Sequence, residues 1–294
     1  MDPKAHVEQL LEKVIATATG NGCPPLLASA VRHAVIPGGA RVRPLLCLAV
    51  AQACGQLDRG QSDRGMSDAA ATAIELLHCA SLVHDDLPCF DDADMRRGLP
   101  SVHRLYGEPL AVLAGDALIV LAFDVLAASA GERPQALAPL LRILSRAAGM
   151  SGGLVAGQGW ESEPGVTLSS YQAAKTGALF VAATAAGAAS AGHDPAAWEA
   201  FGARLGEAYQ VADDIQDASA SSQEIGKPVG RDVALGRPSA VRQLGMTDAR
   251  DRLEQLIGEA LKSIPPCPGA ADLKALVHMQ VRWFVPRSAA QAAA

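Results

Sequence analysis

Residues 70–94 read AATAIELLHCASLVHDDLPCFDDAD, and this stretch decides the fold. Up to residue 84, apolar side chains recur every three or four positions, which is the pattern of an α-helix with a buried face. The helical pattern then ends in Asp85, Asp86 and Asp91, which Asp92 and Asp94 follow. The stretch therefore predicts an apolar helix whose carboxyl end carries a cluster of carboxylates.

The spacing inside this cluster affects which side chains can meet. Asp85 and Asp91 are about 240° apart around an ideal helix, so the two side chains would point in different directions. Pro88 lies between them, removes one helix hydrogen bond and disfavours a helical conformation at the residue before it. We therefore expect the helix end to be distorted so that Asp91 returns to the side of Asp85.

A second aspartate cluster occupies the helical stretch 201–218, FGARLGEAYQVADDIQDA. Asp213 and Asp217 are one helical turn apart, so their carboxylates project from one face of the helix. Like charges at that spacing repel each other unless a cation joins them. Oxygen ligands without a neighbouring His or Cys are typical of Mg²⁺ sites. Two acidic clusters on apolar helices favour such a site over two solvated helix ends.

Helical spacing of apolar residues dominates the rest of the chain too, and strand signatures are scarce. The spacing recurs at 7–18, 44–54, 115–129, 169–187 and 249–264. Ala and Gly are frequent on these faces and permit close helix contacts. We therefore predict an all-α fold, a single large helical bundle formed by one domain over residues 1–294, with a frayed tail at about 288–294.

Composition narrows the classes of function. The chain has 294 residues, 25 Lys and Arg against 31 Asp and Glu, and a net charge of −6. A nucleic-acid or anionic-membrane binder carries clustered basic charge and is therefore not expected. The apolar run 110–130 is interrupted by Asp116 and Asp124, which favours a buried helix over a membrane span. Residues 1–14 lack the apolar segment of a signal peptide, so we expect a cytoplasmic protein without stable membrane insertion.

Several stretches together carry a family signature. They are LLHCASLVHDDLPCFDDADMRRGLPSVHRLYGEPLAVLAGDAL at 76–118, GQGWESE at 157–163, YQAAKTGAL at 171–179, YQVADDIQD at 209–217 and GKPVGRD at 226–232. In order and approximate spacing they resemble the motifs of the trans-isoprenyl diphosphate synthases (polyprenyl synthetases). Within that family they are most similar to bacterial geranylgeranyl diphosphate synthases of carotenoid pathways. The resemblance runs through most of the chain, whereas a lone DDxxD motif would carry little weight.

The resemblance implies a fold, an activity and a set of partners. The fold is the isoprenoid synthase type of helical bundle, with a central active-site cavity. The activity is a Mg²⁺-dependent head-to-tail prenyl transfer, in which isopentenyl diphosphate condenses with an allylic diphosphate (dimethylallyl, geranyl or farnesyl diphosphate). About three Mg²⁺ ions are implied, together with a homodimer and a C20 product, geranylgeranyl diphosphate.

The same resemblance assigns roles to residues of this chain. The expected Mg²⁺ ligands are Asp85, Asp86, Asp91, Asp213, Asp214 and Asp217. The expected catalytic groups at the allylic diphosphate are Lys175, Thr176, Gln210 and Lys227. The expected substrate-binding residues are Arg41, Arg43, His78, Arg96, Arg97 and Arg237. A diphosphate leaving group needs its charge neutralised as it departs, which carboxylate-held metal ions and nearby cations supply.

One binding motif departs from the family pattern. The family's Gly-Gly-Lys-Arg-x-Arg-Pro turn reads GGARVRP at 38–44, so Ala40 stands where the lysine would be. We expect Arg41 to compensate, because a guanidinium offers a fork of donors to phosphate. For Arg96 and Arg97 an alternative stays open, in which they only offset the neighbouring aspartates.

Two small residues on the aspartate helix bear on product length. Ala80 and Ser81 precede Asp85 by about one helical turn, and four helical residues advance about 6 Å, close to one isoprene unit. By resemblance the growing chain runs along this helix, and an aromatic side chain here would favour a C15 product, farnesyl diphosphate. We therefore predict a C20 product, with the alternative that Ala80 only eases helix packing.

Two other functions stay open from the sequence. A class I terpene cyclase also uses an aspartate-rich motif with Mg²⁺, but it pairs DDxxD with an Asn/Ser/Glu motif, whereas DDIQD stands second in this chain. A non-catalytic subunit of a prenyl synthase usually lacks one aspartate cluster, and both are intact here. Both alternatives are therefore disfavoured.

Overall fold

The computed structural model describes residues 2–20, 22–36, 38–55, 65–131, 133–163, 167, 171–219 and 239–284. Two predicted site residues, Lys227 and Arg237, and the predicted frayed tail lie outside these ranges. All other predicted site residues lie inside them.

The described residues are mainly helical. The helices are α1 (Pro3–Ala18), α2 (Pro25–Val35), α3 (Val42–Ala53), α4 (Gly65–Asp85), α5 (Val102–Tyr106), α6 (Glu108–Ala128), α7 (Pro134–Ala148), α8 (Leu154–Gly159), α9 (Ala178–Ser190), α10 (Glu199–Ser219), α11 (Ala240–Leu244), α12 (Met246–Lys262) and α13 (Ala270–Phe284). The other described elements are 3₁₀-helices at Trp160–Ser162 and Ala196–Trp198, a π-helix at Ala173–Gly177, and an antiparallel pair of two-residue strands, β1 (Met95–Arg96) and β2 (Leu99–Pro100). The predicted all-α fold is confirmed.

Helix α4 is the centre of the bundle. Most of its side chains between Met66 and Val83 are buried, because the helix packs against α3, α6 and α9 at once. Alanines at many of its positions allow these neighbours to approach closely. Burial on several sides fixes the carboxyl end of α4, and with it the first aspartate cluster.

Helices α9 and α10 pack against each other at glycines. Gly206 on α10 faces Gly177, immediately before α9, and Gly202 faces Val181, so the two helices run antiparallel. A Cβ atom built at Gly206 would lie 2.8 Å from the Cα atom of Gly177, closer than real Cβ atoms come. Glycine therefore fits this crossing without displacing either backbone, and the second aspartate cluster is held close to α9.

Helix α6 is apolar but is not buried on every side. Among the described residues it is the one helix long and apolar enough to cross a membrane, and 33% of its apolar window is buried. Ala114, Leu118 and Ala122 are buried on the side that packs against α4 and α2, whereas Val112 and Val120 are exposed. The expectation of a buried helix is therefore corrected, since α6 turns one apolar face inward and another outward.

Candidate active site

The chain reverses direction directly after α4. The last helical residue is Asp85, and the amide of Asp91 then donates to the carbonyl oxygen of Asp85 at 2.9 Å. The amide of Ala93 donates to the carbonyl oxygen of Asp86 at 3.1 Å, which closes the turn. The predicted distortion of the helix end is confirmed, and Asp91 lies beside Asp85.

The two aspartate clusters face a common cleft of about 250 Å³. One wall is the end of α4 with the turn that follows it, and another is α10. The side chains that line the cleft include Arg43, His78, Ser81, Asp85, Asp91, Arg96, Gln158, Lys175, Thr176, Gln210, Asp213, Asp214 and Asp217. Carboxylates that are far apart in the sequence therefore share one chamber with several of the predicted cations.

Asp86 has a different environment from the other aspartates. Like Asp85 and Asp214 it is buried, but it lines a separate, smaller pocket together with Arg96. The Nε atom of Arg96 donates to both carboxylate oxygens of Asp86, at 3.1 and 3.2 Å. Burial raises the pKa of Asp86 above its ordinary value, and the hydrogen bonds from Arg96 oppose that shift. Arg96 therefore neutralises Asp86 at the edge of the cleft.

Lys175 joins the first aspartate cluster to another carboxylate. Its ammonium nitrogen lies 3.2 Å from Oδ1 of Asp85 and also donates a hydrogen bond to Glu161. Burial alone would lower the pKa of Lys175, but Asp85, Tyr171 and Glu161 raise it above its ordinary value. Burial raises the pKa of Asp85, and Lys175 opposes that shift. Lys175 is therefore a cation at neutral pH.

Three residues of this network have no role in the sequence-based assignment. The Nε2 atom of Gln158 donates to Oδ1 of Asp85 and to the carbonyl oxygen of Ser81, each at 3.1 Å. The hydroxyl of Tyr171 donates to Glu161 at 2.7 Å. Gln158, Tyr171 and Glu161 lie in the motifs GQGWESE and YQAAKTGAL, and those motifs are the signal by which sequence reasoning could have found them.

A π-helical turn at Ala173–Gly177 carries Thr176, and such irregular turns are frequent at functional sites. The hydroxyl of Thr176 donates to Oε1 of Gln210 at 3.0 Å, and Nε2 of Gln210 donates to Oδ1 of Asp214 at 3.1 Å. The backbone amide of Ala240 donates to Oδ2 of Asp214 at 2.7 Å. Thr176 is therefore in direct contact with Gln210 across two helices, and the contact continues to the second aspartate cluster.

A cationic group lies on the α3 side of the cleft. The NH1 atom of Arg43 is 3.4 Å from Nε2 of His78. Burial lowers the pKa of His78 well below its ordinary value, and the positive charges of Arg43 and Arg97 lower it further. His78 is therefore neutral at neutral pH. Arg43 and His78 line the cleft, whereas Arg97 does not line it but adds positive charge near His78.

Arg97 contacts the turn that lacks the family lysine. Its guanidinium lies against Gly39, where an added Cβ atom would come within 3.2 Å of Nε of Arg97. The NH2 atom of Arg97 lies 3.8 Å from Oε1 of Glu75. The neighbourhood of Ala40 therefore contains a cation that comes from another part of the chain.

Arg41, like Arg97, is not among the side chains that line the cleft. Its fully buried side chain donates to the two carboxylate oxygens of Glu8 at 2.9 and 3.0 Å. It also donates to Glu75 at 2.6 Å and to the carbonyl oxygen of Val35 at 2.7 Å. The expectation that Arg41 replaces the missing lysine is therefore corrected, because carboxylates inside the protein already take its donors.

The two small residues expected to face the growing chain have different surroundings. Ser81 lines the cleft, and its hydroxyl donates to the carbonyl oxygen of His78 at 2.9 Å. Ala80 is 1% exposed and belongs to the hydrophobic core. The structure therefore favours the packing alternative for Ala80, and Ser81 is the residue of the pair that meets the cleft.

The donor set of the cleft fits Mg²⁺. The aspartates that line it offer the hard oxygen ligands that Mg²⁺ prefers. Within the described ranges, no three His, Cys, Asp or Glu side chains form a ready-made metal site. Mg²⁺ commonly binds through one or two carboxylates and completes its shell with water and substrate phosphates. The aspartates therefore suit ions that arrive together with a diphosphate.

A family model, curated relatives and solved structures resemble this chain. Residues 24–271 match the model described as polyprenyl synthetase. A geranylgeranyl diphosphate synthase from Cereibacter sphaeroides is 52% identical over 285 residues, which is 97% of each chain. Another from Rhodobacter capsulatus is 48% identical over 274 residues, which is 93% of each chain. A geranyltransferase from Helicobacter pylori, complexed with magnesium and isoprenyl diphosphate, has a TM-score of 0.78 at 29% identity, covering 96% of this chain and 98% of its own.

Proposed function

The chain belongs to the polyprenyl synthetase family, and we propose that it is a prenyltransferase that condenses isopentenyl diphosphate with allylic diphosphates to make geranylgeranyl diphosphate. The identity to two bacterial geranylgeranyl diphosphate synthases over nearly the whole chain supports this C20 product. The alternative product is farnesyl diphosphate, a C15 chain.

One observation carries the proposal: carboxylates from α4 and α10 share a cleft whose α3 side is cationic. The reaction has two anionic substrates, and each suits a different part of this cleft. An allylic diphosphate suits the aspartates and their metal ions. Isopentenyl diphosphate, which keeps its diphosphate, suits Arg43 and His78, which line the cleft, and Arg97, whose positive charge acts on His78. A class I terpene cyclase has one diphosphate substrate and no use for the second group, so the arrangement favours prenyl transfer.

We assign the Mg²⁺ ligands to the aspartates that line the cleft, which are Asp85, Asp91, Asp213, Asp214 and Asp217. Bound there, Mg²⁺ would neutralise the diphosphate oxygens as negative charge develops on them. The Helicobacter pylori geranyltransferase complex with magnesium supports this choice of metal, and about three ions are proposed. Asp86 is instead assigned to holding Arg96 beside the leaving diphosphate, because its carboxylate is paired with that guanidinium.

Lys175 and Arg96 are the cations that we assign to the leaving diphosphate, since both line the cleft. When the carbon–oxygen bond of the allylic diphosphate breaks, its electron pair leaves with the diphosphate, and these cations stabilise that charge. Thr176 and Gln210, which hydrogen-bond each other, offer oxygen dipoles to the allylic carbon as it becomes positive. Neither side chain needs to act as a nucleophile.

Arg43 and Arg97 are assigned to the diphosphate that isopentenyl diphosphate retains. Neutral His78 can donate one hydrogen bond to it without adding a charge. The double bond of isopentenyl diphosphate attacks the positive allylic carbon and forms the new carbon–carbon bond. By the family resemblance, the departed diphosphate then takes the proton that is lost, so no catalytic histidine is required.

Three further assignments are proposals. Lys227 and Arg237 would add positive charge at the diphosphates. A homodimer is supported by the outward apolar face of α6, where Val112, Leu113 and Val120 are exposed. The cytoplasmic location expected from the sequence stays a prediction. The alternative of a non-catalytic subunit is disfavoured, because both aspartate clusters line the cleft.

Product analysis with the purified protein tests this function. The protein is incubated with Mg²⁺, isopentenyl diphosphate and, in turn, dimethylallyl, geranyl and farnesyl diphosphate, and the products are sized. We expect a C20 diphosphate whose formation requires both Mg²⁺ and isopentenyl diphosphate. A C15 end product would favour the alternative synthase, and a cyclic hydrocarbon formed without isopentenyl diphosphate would favour a terpene cyclase. No product with any starter would contradict the proposal.

A further inference from the structure

Two aromatic rings cover the guanidinium of Arg43. Its Cζ atom lies 5.0 Å from the ring centre of Phe180 on α9 and 5.5 Å from that of Tyr209 on α10. The two ring centres are 5.1 Å apart, with the rings tilted by 43° to each other. Both distances from Arg43 are within the range of about 6 Å over which a ring attracts a cation. Arg43 therefore rests on an aromatic platform, Phe180 and Tyr209, built from two helices.

Helix geometry explains why these two rings meet. Helices α9 and α10 are antiparallel and touch at Gly177 and Gly206. A helical side chain leans toward the N-terminus of its own helix. Phe180 and Tyr209 each follow one of these glycines by nearly one turn, so they lean toward each other and toward the glycine contact. The close approach of the two backbones therefore assembles the aromatic platform.

The guanidinium of Arg43 is buried beside a neutral histidine and two aromatic rings. Its Nε atom is buried without a hydrogen-bond partner in the part of the chain that the structure describes. Its polar neighbour at 3.4 Å is His78, which burial and the surrounding arginines keep neutral. Burying a charge without a counter-charge is costly, and aromatic faces recover part of that cost through their attraction for cations. Arg43 thus keeps its positive charge available to an anion in the cleft.

We propose that Phe180 and Tyr209 are positioning residues for isopentenyl diphosphate, because their rings hold the Arg43 guanidinium at the cleft without cancelling its charge. This inference rests on the proposed prenyl transfer. A carboxylate would hold the guanidinium as firmly, as Glu75 holds Arg41, but a substrate anion would then have to displace it. An aromatic platform restrains a cation and leaves its hydrogen-bond donors to the substrate.

Removing each ring tests the inference by comparing the two substrates. Phe180→Leu and Tyr209→Leu should raise the KM for isopentenyl diphosphate about tenfold, as expected for a desolvated cation–π contact, with kcat and the KM for farnesyl diphosphate changed less than about twofold. Tyr209→Phe keeps the aromatic ring and should therefore have the wild-type KM for isopentenyl diphosphate. Phe201→Leu removes another buried ring from α10 and is the matched control, with both KM values unchanged.

A second set of variants asks whether the rings act through Arg43. In an Arg43→Gln background, Phe180→Leu and Tyr209→Leu should add no further rise in the KM for isopentenyl diphosphate, because the cation that the rings hold is gone. A further rise as large as that in the wild-type background would overturn the inference.

The remaining outcomes also decide the question. Equal rises in both KM values, or an unchanged KM for isopentenyl diphosphate in folded variants, would contradict a positioning role. Failure of both Leu variants to fold, when Phe201→Leu folds, would mean that the rings serve the fold instead of Arg43. The wild-type assay separates the two proposals: without product from isopentenyl diphosphate the proposed function fails, whereas an active wild type with unaffected variants removes only the role of the aromatic platform.

Discussion

The ammonium nitrogen of Lys175 lies 3.2 Å from the carboxylate of Asp85, the last residue of α4. Glu161 binds the same ammonium group from a second helical segment. The first aspartate cluster is therefore already paired with a cation that comes from elsewhere in the chain. When metal ions bind to Asp85, we expect this cation to become available to the diphosphate that the ions hold.

Lys175→Gln should lower kcat by about 100-fold or more, because it removes a positive charge aimed at the leaving group, comparable to the loss of an oxyanion-hole donor. Steady-state kinetics with farnesyl diphosphate as the varied substrate measure this effect. Lys13→Gln, on the exposed side of α1, is the control and should behave as wild type. A kcat unchanged by Lys175→Gln would exclude the residue from the reaction.

Arg41→Gln should destabilise the fold by about 3–5 kcal/mol, because a buried carboxylate, which Arg97 approaches only to 3.8 Å, loses its closest partner. That carboxylate is Glu75, which accepts from Arg41 at 2.6 Å. Arg32→Gln is the matched control, because Arg32 pairs with Glu12 while each side chain is about half exposed (50% and 51%), and it should cost about 0–1 kcal/mol. Urea unfolding measures both variants, and equal losses would contradict the buried network.

Arg43→Ala should raise the KM for isopentenyl diphosphate by about tenfold or more, since a hydrogen bond to a charged group is lost. The KM for farnesyl diphosphate should change much less. Ala40→Lys places the family's lysine on an exposed position beside Arg97 and should lower the KM for isopentenyl diphosphate. An unchanged KM for this substrate in Arg43→Ala would remove Arg43 from its binding site.

Ser81→Phe should shorten the product from C20 to C15, because Ser81 lines the cleft. Ala80→Phe should instead overpack the core and destabilise the protein by about 1–3 kcal/mol, without shortening the product. Product sizing and thermal unfolding of the two variants measure the difference. If Ala80→Phe shortens the chain and Ser81→Phe does not, the face of α4 that meets the chain has been assigned wrongly.

The free energy of unfolding should decrease as the pH falls from about 7 to 5.5, in part through His78. Burial and Arg43 hold the pKa of folded His78 well below its ordinary value. Below about pH 6.5 the unfolded chain therefore binds a proton that the native state does not, which favours unfolding.

Urea unfolding at both pH values measures this dependence. His78→Gln should reduce the difference between the two pH values, whereas His193→Gln, which replaces an exposed histidine, should leave it as in wild type. The same pH difference in His78→Gln as in the wild type would show that His78 is not the group responsible.

The turn after α4 could be predicted from the sequence, because Pro88 and the spacing of Asp85 and Asp91 act locally. The roles of Arg41 and Arg43 could not be predicted in this way. Arg41 binds carboxylates that are 33 and 34 residues away in the chain, whereas Arg43 reaches the cleft. Arg41 and Arg43 are equivalent in the local sequence pattern, and only the residues that each contacts in the folded chain distinguish their roles.

Ala80 and Ser81 pose the same problem within a single helix. Consecutive helical residues point about 100° apart, so one of the pair can enter the core while the other meets the cleft. Helix α6 adds a further case, because its composition indicates an apolar surface but does not indicate what covers each face. The sequence therefore predicts the chemical character of these helices better than it predicts which of their side chains are exposed.

The contact of Gly177 with Gly206 also sets the separation between Thr176 and Gln210 in the cleft. Gly177 directly follows Thr176, and Gly206 precedes Gln210 by one turn of α10. A methyl group at Gly206 would act as a wedge between the two backbones, and it would stretch the 3.0 Å hydrogen bond from Thr176 to Gln210 without altering either residue. Gly177 and Gly206 thus set the distance across which the allylic carbon would be held, because neither has a side chain that would separate the two helices.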